Sequence, residues 1–579
     1  MKYKKFGPGL LAALEDFQAE GAPALVRHAR TLGLASVTGT QKPPAAIVFV
    51  HCDARAKLDD LADAGIRINQ TRGRVRTAIL PLEQLDELSD HTKVKRILAS
   101  RLLRPRMDVA RGKVKLPKFC NDTGLTGQDV LIGVIDTGID ARHPGFAGRI
   151  LRIWDQTLSG PGVGEAAYGL ELTGNQMTAS RDRNGHGTYV AGIAAGADPT
   201  FSGVASKAEL VIVKTTFQDA HIADAIRYVF RLADELERPA IVNLSLGGHA
   251  DAHDGTDSLS QIIDDESGPG RIVCCAAGNE GDDNIHARVP LGAPATRTLR
   301  FSIPANAVRT AELNGWYPGS GKLEISVTTP DGFATPFQPV ITTGNFLKKY
   351  NLPGARVLVE TPDKDLDNGD HHFVVQIRNA SAGQAAPAGN WQLRVRNASA
   401  LPGALDVWTL DDQDAPQVVF SDSHVADSMK IGSPGAAASA VTVGAFVTKN
   451  AWTDIDGTPR SVGMAVGRLA SFSSEGPLRS GRQKPDVAAP GAMIVSCLSA
   501  DSSPQRANIV DPRHVAEAGT SMAAPFISGV IALLLERNQH LDPAAVKAAL
   551  KTASKHPNKP AGTFDAKWGF GLLNAAKLK

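Results

Sequence analysis

Ser521 stands in EAGTSMAAPFISGVIALLL, residues 517–535, between a glycine turn and a long apolar run that reads as a buried helix. A hydroxyl at the first turn of such a helix has two uses. It caps the helix, a frequent role of serine there, or it is a nucleophile. A serine attacks only when a base takes its proton, and histidine suits that near neutral pH. The histidine needs a carboxylate to fix its tautomer and stabilise the imidazolium. Both types occur in matching surroundings: Asp136 ends the run VLIGVIDTG, and His186 lies in RNGHGTYVAG. Gly138, Gly185, Gly187 and Gly519 flank the three, and small neighbours let backbone and substrate approach closely. Asn279, in CAAGNEG, could donate its amide to an oxyanion together with the Ser521 backbone N–H. Singly, each has a plainer use: Asp136 in a turn, His186 as a satisfied loop histidine, Ser521 as a cap. Their joint occurrence, each in a glycine-bracketed context on one α/β domain, is what points to acyl transfer.

Bringing side chains together from distant positions requires a sheet whose strand ends converge. From residue 128 the chain supplies one, because DVLIGVIDTG is a continuous apolar run, as in a strand buried on both faces of a parallel sheet. GTYVAGIAAG reads as a helix, AELVIVKT as a strand, HIADAIRYVFRLADELE as a helix, and PAIVNLSLGG and RIVCCAAGNEG as strands. This alternation predicts an α/β fold with a doubly wound, mostly parallel sheet. Between about residues 285 and 425 the alternation stops. RTLRFSIP, KLEISVTTPDG, HHFVVQIRN, GNWQLRVRN and ALDVWTLDD are short strands separated by turn residues, the pattern of an all-β sandwich or jelly roll. The α/β pattern resumes at AVTVGAF and closes with the Ser521 helix and LDPAAVKAALKTAS, so the β module is inserted in one α/β domain. Upstream, LLAALEDFQ and APALVRHARTL are helical patterns, and residues 44–106 read β-α-β-β-α-β, a ferredoxin-like unit. The division is 1–43, 44–106, 107–284, 285–425 and 426–579.

The chain has 579 residues, 42% apolar and 21% charged, which suits several globular domains. A net charge of +2 gives no global case for nucleic acid or anionic membrane. The basic stretch RLLRPRMDVARGKVKLPK lacks aromatics to stack bases and reads as an exposed linker. Five cysteines without a CxxC spacing argue against a disulfide framework or a zinc site. The run FISGVIALLL is too short for a membrane span. Glu15, Asp16 and Glu20 interrupt the N-terminal apolar part, against a secretory signal. A cytoplasmic location is the expectation, with unconventional export left open. The oligomeric state is not legible.

VIDTGID, NGHGTYVAG, VNLSLGG, AAGNEG, KPDVAAPG and GTSMAAPFISG resemble, in order, segments of the subtilases, the subtilisin-like serine peptidases, over about residues 120–285 and 425–579. The resemblance implies a subtilisin-like fold and a serine endopeptidase. It implies Asp136 as the orienting acid, His186 as general base and acid, Ser521 as nucleophile and Asn279 as oxyanion donor. Gly519 and Thr520 then shape a nucleophile turn, and Pro525 is expected in the first helical turn, where proline is tolerated. By the same resemblance Ser245, Leu246, Gly247 and Gly248 run beside an extended substrate whose backbone pairs as an added strand. Glu280 is expected at the rim of the S1 pocket, drawing a basic P1 side chain, with a solvated loop carboxylate as the alternative. The 44–106 unit resembles the family's inhibitory prodomain, implying a zymogen with self-cleavage around residues 104–108, near Arg106 and Met107 with Leu103 at P4. A permanent domain is the alternative. The jelly-roll-like insertion could rigidify the enzyme, bind substrate or restrict access. No cofactor is required and no metal site is expected. Calcium is common in the family, but no oxygen-ligand run supports it here. The implied partners are protein or peptide substrates, without nucleic acid or membrane. A non-catalytic or self-processing-only binding module is the competing reading, and the complete set of Asp136, His186, Ser521 and Asn279 argues against it.

Overall fold

Alternate residues of the central strands divide between two cores, and this division builds the frame. The computed structural model describes residues 3–7, 10–20, 34–35, 45–99, 111–292, 294–305, 308–399, 403–410 and 416–578. Among these, seven parallel strands form the middle of one sheet: β1 (Leu131–Asp136), β2 (Ile150–Asp155), β3 (Glu209–Lys214), β4 (Ala240–Leu244), β5 (Arg271–Ala276), β6 (Val441–Val447) and β7 (Val487–Cys497). Their spatial order is β7-β6-β5-β4-β1-β3-β2. Five helices flank them: α1 (His186–Ala195), α2 (Asp219–Glu235), α3 (Ser258–Glu266), α4 (Thr520–Arg537) and α5 (Pro543–Ala553). Ile132 and Val134 of β1 join Ile212, Ile241 and Ile272 in the core under α1, α4 and α5. Leu131 and Ile135 join Val211, Val242 and Val273 in the core under α2 and α3. Both faces are covered, which is why these strands read as unbroken apolar runs. The order reverses between β1 and β4, the switch point beyond which open α/β sheets bind ligands. Helix α4 has the length and apolarity to cross a membrane, but 89% of that window is buried inside the protein.

Residues 286–409 leave this frame after β5 and fold into antiparallel sheets. One holds His286–Leu291, Gly403–Thr409, Thr310–Tyr317, His371–Asn379, Ala355–Glu360 and Leu347–Leu352 in that order. The other is centred on Leu323–Thr328, Gly389–Asn397 and Ala295–Ile303. Their inner faces share a core that includes Phe373, Trp391 and Leu405. The strands His286–Leu291, Thr310–Tyr317, Leu347–Leu352 and Ala355–Glu360 are additional to those read from the sequence, as are β2, β7 and α3 in the main domain.

Upstream, LLAALEDFQ lies in the helix Leu10–Glu20, whereas APALVRHARTL is outside the described residues. Strands Arg67–Ile68, Val75–Pro81, Ala45–Cys52 and Val94–Ala99 stand side by side in that order, all antiparallel. The first expected α-helix of this unit, in AKLDDLADAG, is instead the 3-10 helix Asp59–Ala64. Gly65 closes it in a left-handed conformation (φ 74°). Ile47, Phe49 and Val75 of the unit enter the core formed with α2 and α3.

Docking of this unit buries two titratable groups. Asp224 of α2 accepts hydrogen bonds from Gln70 Nε2 (2.7 Å), Thr77 Oγ1 (2.6 Å), Asn69 Nδ2 (3.2 Å) and Tyr168 OH (2.9 Å). Burial raises its carboxyl to about 6 against the pull of these bonds and of Arg227. His51 Nε2 lies 3.0 Å from Ser258 Oγ, and burial, followed by the charge of Arg96, lowers its imidazole to about 4. The signs are opposite. Between about 4 and the ordinary 6.5, undocked His51 binds a proton that the docked ring lacks, so docking strengthens as pH rises. Between the ordinary 3.8 and about 6, docked Asp224 holds a proton that the undocked carboxyl lacks, so docking weakens as pH rises. Between about 4 and 6 the two slopes therefore oppose each other. His51→Gln is expected to leave a unit that loosens as pH rises from about 4 to 6, and Asp224→Asn one that loosens as pH falls. Hydrogen exchange of the unit's strands against pH measures both slopes; a steep slope in the unsubstituted protein would contradict the offset.

Candidate active site

The expected side chains leave the frame at the carboxyl end of the sheet. Asp136 is the last residue of β1, His186 the first of α1 and Ser521 the second of α4. His186 Nδ1 lies 2.6 Å from Asp136 Oδ1, and both side chains are buried. Oδ1 also accepts the Thr137 N–H at 2.7 Å, while Oδ2 is buried without a hydrogen-bond partner among the described residues. An ionised carboxylate can only accept, so it keeps the proton on Nδ1 and leaves Nε2 as the base. Helix α1 is entered through Gly185 at φ +91°, and a Cβ on Gly187 would stand 2.1 Å from the Gly138 carbonyl oxygen. Only glycine lets the start of α1 and the exit of β1 meet this closely.

Asp182 is a positioning residue that the sequence reading missed. Its Oδ1 accepts from Thr137 Oγ1 and the Gly185 N–H, both at 2.8 Å. Its Oδ2 accepts from the Thr188 N–H (2.8 Å) and Oγ1 (2.7 Å). Thr137 Oγ1 in turn accepts the Gly187 N–H at 2.8 Å. One buried carboxylate thus ties the residue after Asp136 to both sides of His186. Its position four residues before His186 in DRNGHGT was the available signal.

Ser521 Oγ donates to the Ser245 carbonyl at 3.0 Å, and Ser245 Oγ donates to the Ser521 carbonyl at 2.8 Å. Asn243 Nδ2 supports Ser245 Oγ at 2.9 Å, and Ser528 Oγ donates to Asn243 Oδ1 at 2.9 Å. This network explains Pro525, which lies inside α4 rather than in its first turn. A proline at 525 supplies no N–H for the carbonyl four residues back, that of Ser521. The Ser245 hydroxyl takes that carbonyl instead. Of the four residues expected beside substrate, Ser245 and Leu246 are buried, and Gly247 and Gly248 are half-buried. The Gly248 N–H already donates to Ser433 O at 3.0 Å, so it does not pair with a substrate backbone in this conformation.

Asn279 lies just beyond β5, and its Oδ1 accepts from the Thr520 N–H (2.8 Å) and Thr520 Oγ1 (2.7 Å). With the oxygen held at the start of α4, the amide NH2 is the end that can serve an oxyanion. Glu280 corrects the alternative reading of a solvated loop carboxylate. It is buried, and its Oε2 accepts the Asn279 N–H (2.7 Å) and Ser474 Oγ (3.0 Å) and contacts His249 Nε2 at 3.3 Å. It steadies the residue beside it.

Glu517 was also missed. It lies on the strand His514–Ala518 that feeds α4, within electrostatic reach of His186. Burial raises its carboxyl above the ordinary range, and the charge of His186 pulls it back. Arg106 and Met107 fall outside the described residues. Among the described residues no group of three or more His, Cys, Asp or Glu side chains is placed to hold a metal ion.

The sequence model of the Subtilase family matches residues 127–571. The chain is 26% identical over 496 residues to Subtilisin-like protease SBT1.4 of Arabidopsis thaliana, an alignment spanning 75% of this chain and 59% of that protein. Over 131 residues it is 38% identical to Serine protease AprX of Bacillus subtilis, covering 22% of this chain and 27% of that protein. Among solved structures, the Clostridium perfringens CspB protease superposes with a TM-score of 0.68 at 22% identity, covering 81% of this chain and 98% of that one, a likeness of fold. The family match takes in β1, α1, β4, β5 and α4, the elements that carry Asp136, His186, Ser245, Asn279 and Ser521. The chain therefore belongs to the subtilase family.

Proposed function

We propose that this protein is a serine endopeptidase that cleaves peptide bonds through an acyl-enzyme on Ser521. The observation that carries the reading is the buried 2.6 Å contact between Asp136 Oδ1 and His186 Nδ1, which readies Nε2 as a base. In the reaction Ser521 Oγ leaves the Ser245 carbonyl, gives its proton to His186 Nε2 and attacks the scissile carbonyl carbon. The oxyanion so formed is stabilised by the Asn279 NH2 and by the Ser521 N–H at the positive end of α4. His186 returns the proton to the leaving amine, and Asp136 stabilises the imidazolium in between. Water then repeats the sequence and releases the acyl group. Gly247 offers a half-buried edge for an extended substrate.

The N-terminal unit is the prodomain of this enzyme, and the β insertion is a jelly-roll-like accessory domain. The unit's separate sheet and its docking on α2 and α3 support a zymogen with cleavage near residues 104–108. A fluorophosphonate probe and hydrolysis of an unstructured protein such as casein test the reaction. Labelling at Ser521 with turnover is the expected result; a folded protein that neither labels nor turns over casein would overturn it. Intact mass decides the processing separately, since an active protein that keeps its full N-terminus has no cleaved prosegment.

A further inference from the structure

The β insertion reaches the oxyanion donor through an unbroken set of buried contacts. Trp408, on the strand Gly403–Thr409 of the insertion, is fully buried and donates its indole N–H to Met429 O at 2.9 Å. Its ring stacks on His253, with centroids 3.9 Å apart and planes 4° from parallel, and its other close stack is with His286 at 4.6 Å. His253 Nε2 lies 3.0 Å from His249 Nδ1. His249 Nε2 contacts Glu280 Oε2, the same oxygen that holds the Asn279 N–H. A second strand of the insertion grips the same loop, because Asn314 Nδ2 donates to the carbonyls of His249 (3.0 Å) and Asp251 (2.8 Å).

The proton positions follow from the partners. His253 Nδ1 lies 3.1 Å from the Asp251 carbonyl, which can only accept, so Nδ1 carries a proton. Burial, followed by the nearby His249, holds this imidazole well below its usual range, so the ring is neutral. Its Nε2 is then an acceptor, and His249 Nδ1–H donates to it; the Glu280 carboxylate facing His249 Nε2 also only accepts, so His249 carries a proton at both nitrogens and donates at both ends. That bond fixes the His249 ring with Nε2 towards Glu280. The stack on Trp408 sets the plane of His253, and each later contact transmits that orientation to Asn279.

We propose that the insertion sets the oxyanion donor: Trp408 is a positioning residue that acts on Asn279 through His253, His249 and Glu280. This rests on the peptidase reading above. A double-substitution cycle tests it, with kcat and KM measured on a chromogenic peptide amide. Trp408→Ala is expected to lower kcat about tenfold with KM little changed, and Trp408→Phe, which keeps a ring to stack, to recover most of the loss. Asn279→Ala alone loses on the order of 10²- to 10³-fold, and Trp408→Ala added to it is expected to change kcat less than about twofold. If Trp408→Ala does not fold, His253→Phe carries the same cycle, since it keeps the stack and removes the acceptor for His249. Equal fold-losses in both backgrounds, or a change confined to KM, would overturn the relay while leaving the peptidase reading intact. No turnover by the unsubstituted enzyme would overturn the peptidase reading and the relay with it.

Discussion

Ser521→Ala is expected to lower kcat on the order of 10⁶-fold and to abolish fluorophosphonate labelling. The structural cost is small, because the hydroxyl makes one hydrogen bond, to the Ser245 carbonyl, worth about 1 kcal/mol. The helix start is held without it: the Thr520 N–H and hydroxyl stay on Asn279, and the Ser521 carbonyl stays on Ser245 Oγ. Loss of activity and loss of fold are therefore separable. Thermal unfolding should change by no more than a few degrees while turnover disappears. Turnover within about tenfold of the unsubstituted protein would exclude Ser521 as the nucleophile.

Asp136→Asn is expected to lower kcat about 10⁴-fold with little effect on KM. The carboxylate sits wholly inside the protein, and both orientations of a carboxamide fail there. If its oxygen takes the Oδ1 place, it keeps the bonds from Thr137 N–H and His186 Nδ1. Its NH2 then fills the Oδ2 place, where no hydrogen-bond partner stands among the described residues, and the neutral group no longer offsets the imidazolium charge. If the NH2 takes the Oδ1 place, it meets the Thr137 N–H and drives His186 to the tautomer with its proton on Nε2, which cannot take the serine proton. Steady-state kinetics on the chromogenic amide read the effect. A loss smaller than about tenfold would mean that Asp136 only packs beneath the histidine.

The four candidate groups, Asp136, His186, Asn279 and Ser521, were readable because the types and surroundings that single them out are written locally. Glycines hold open the approaches to Asp136, His186 and Ser521, and the strands that end in Asp136 and precede Asn279 are apolar on both faces. The same period argument located the β insertion, where helix-strand alternation stops. By itself, then, the sequence determined the α/β frame, the interruption in it and the chemical types at the strand ends.

Only the tertiary structure decided what surrounds them. Glu280 looked like an available charge until packing placed it against His249 and Ser474, the latter 194 residues away. Pro525 looked like a first-turn proline, yet it lies deeper in α4, and a serine from β4's exit satisfies the carbonyl it leaves open. Asp182 and Trp408 lie in none of the motifs that resemble the family's, and Asn243, though inside VNLSLGG, was not singled out; each matters through its partners. The physical reason is common to all of these. Apolar periodicity follows from the local backbone, but the partner and burial of a polar side chain depend on segments that meet only when the chain closes on itself.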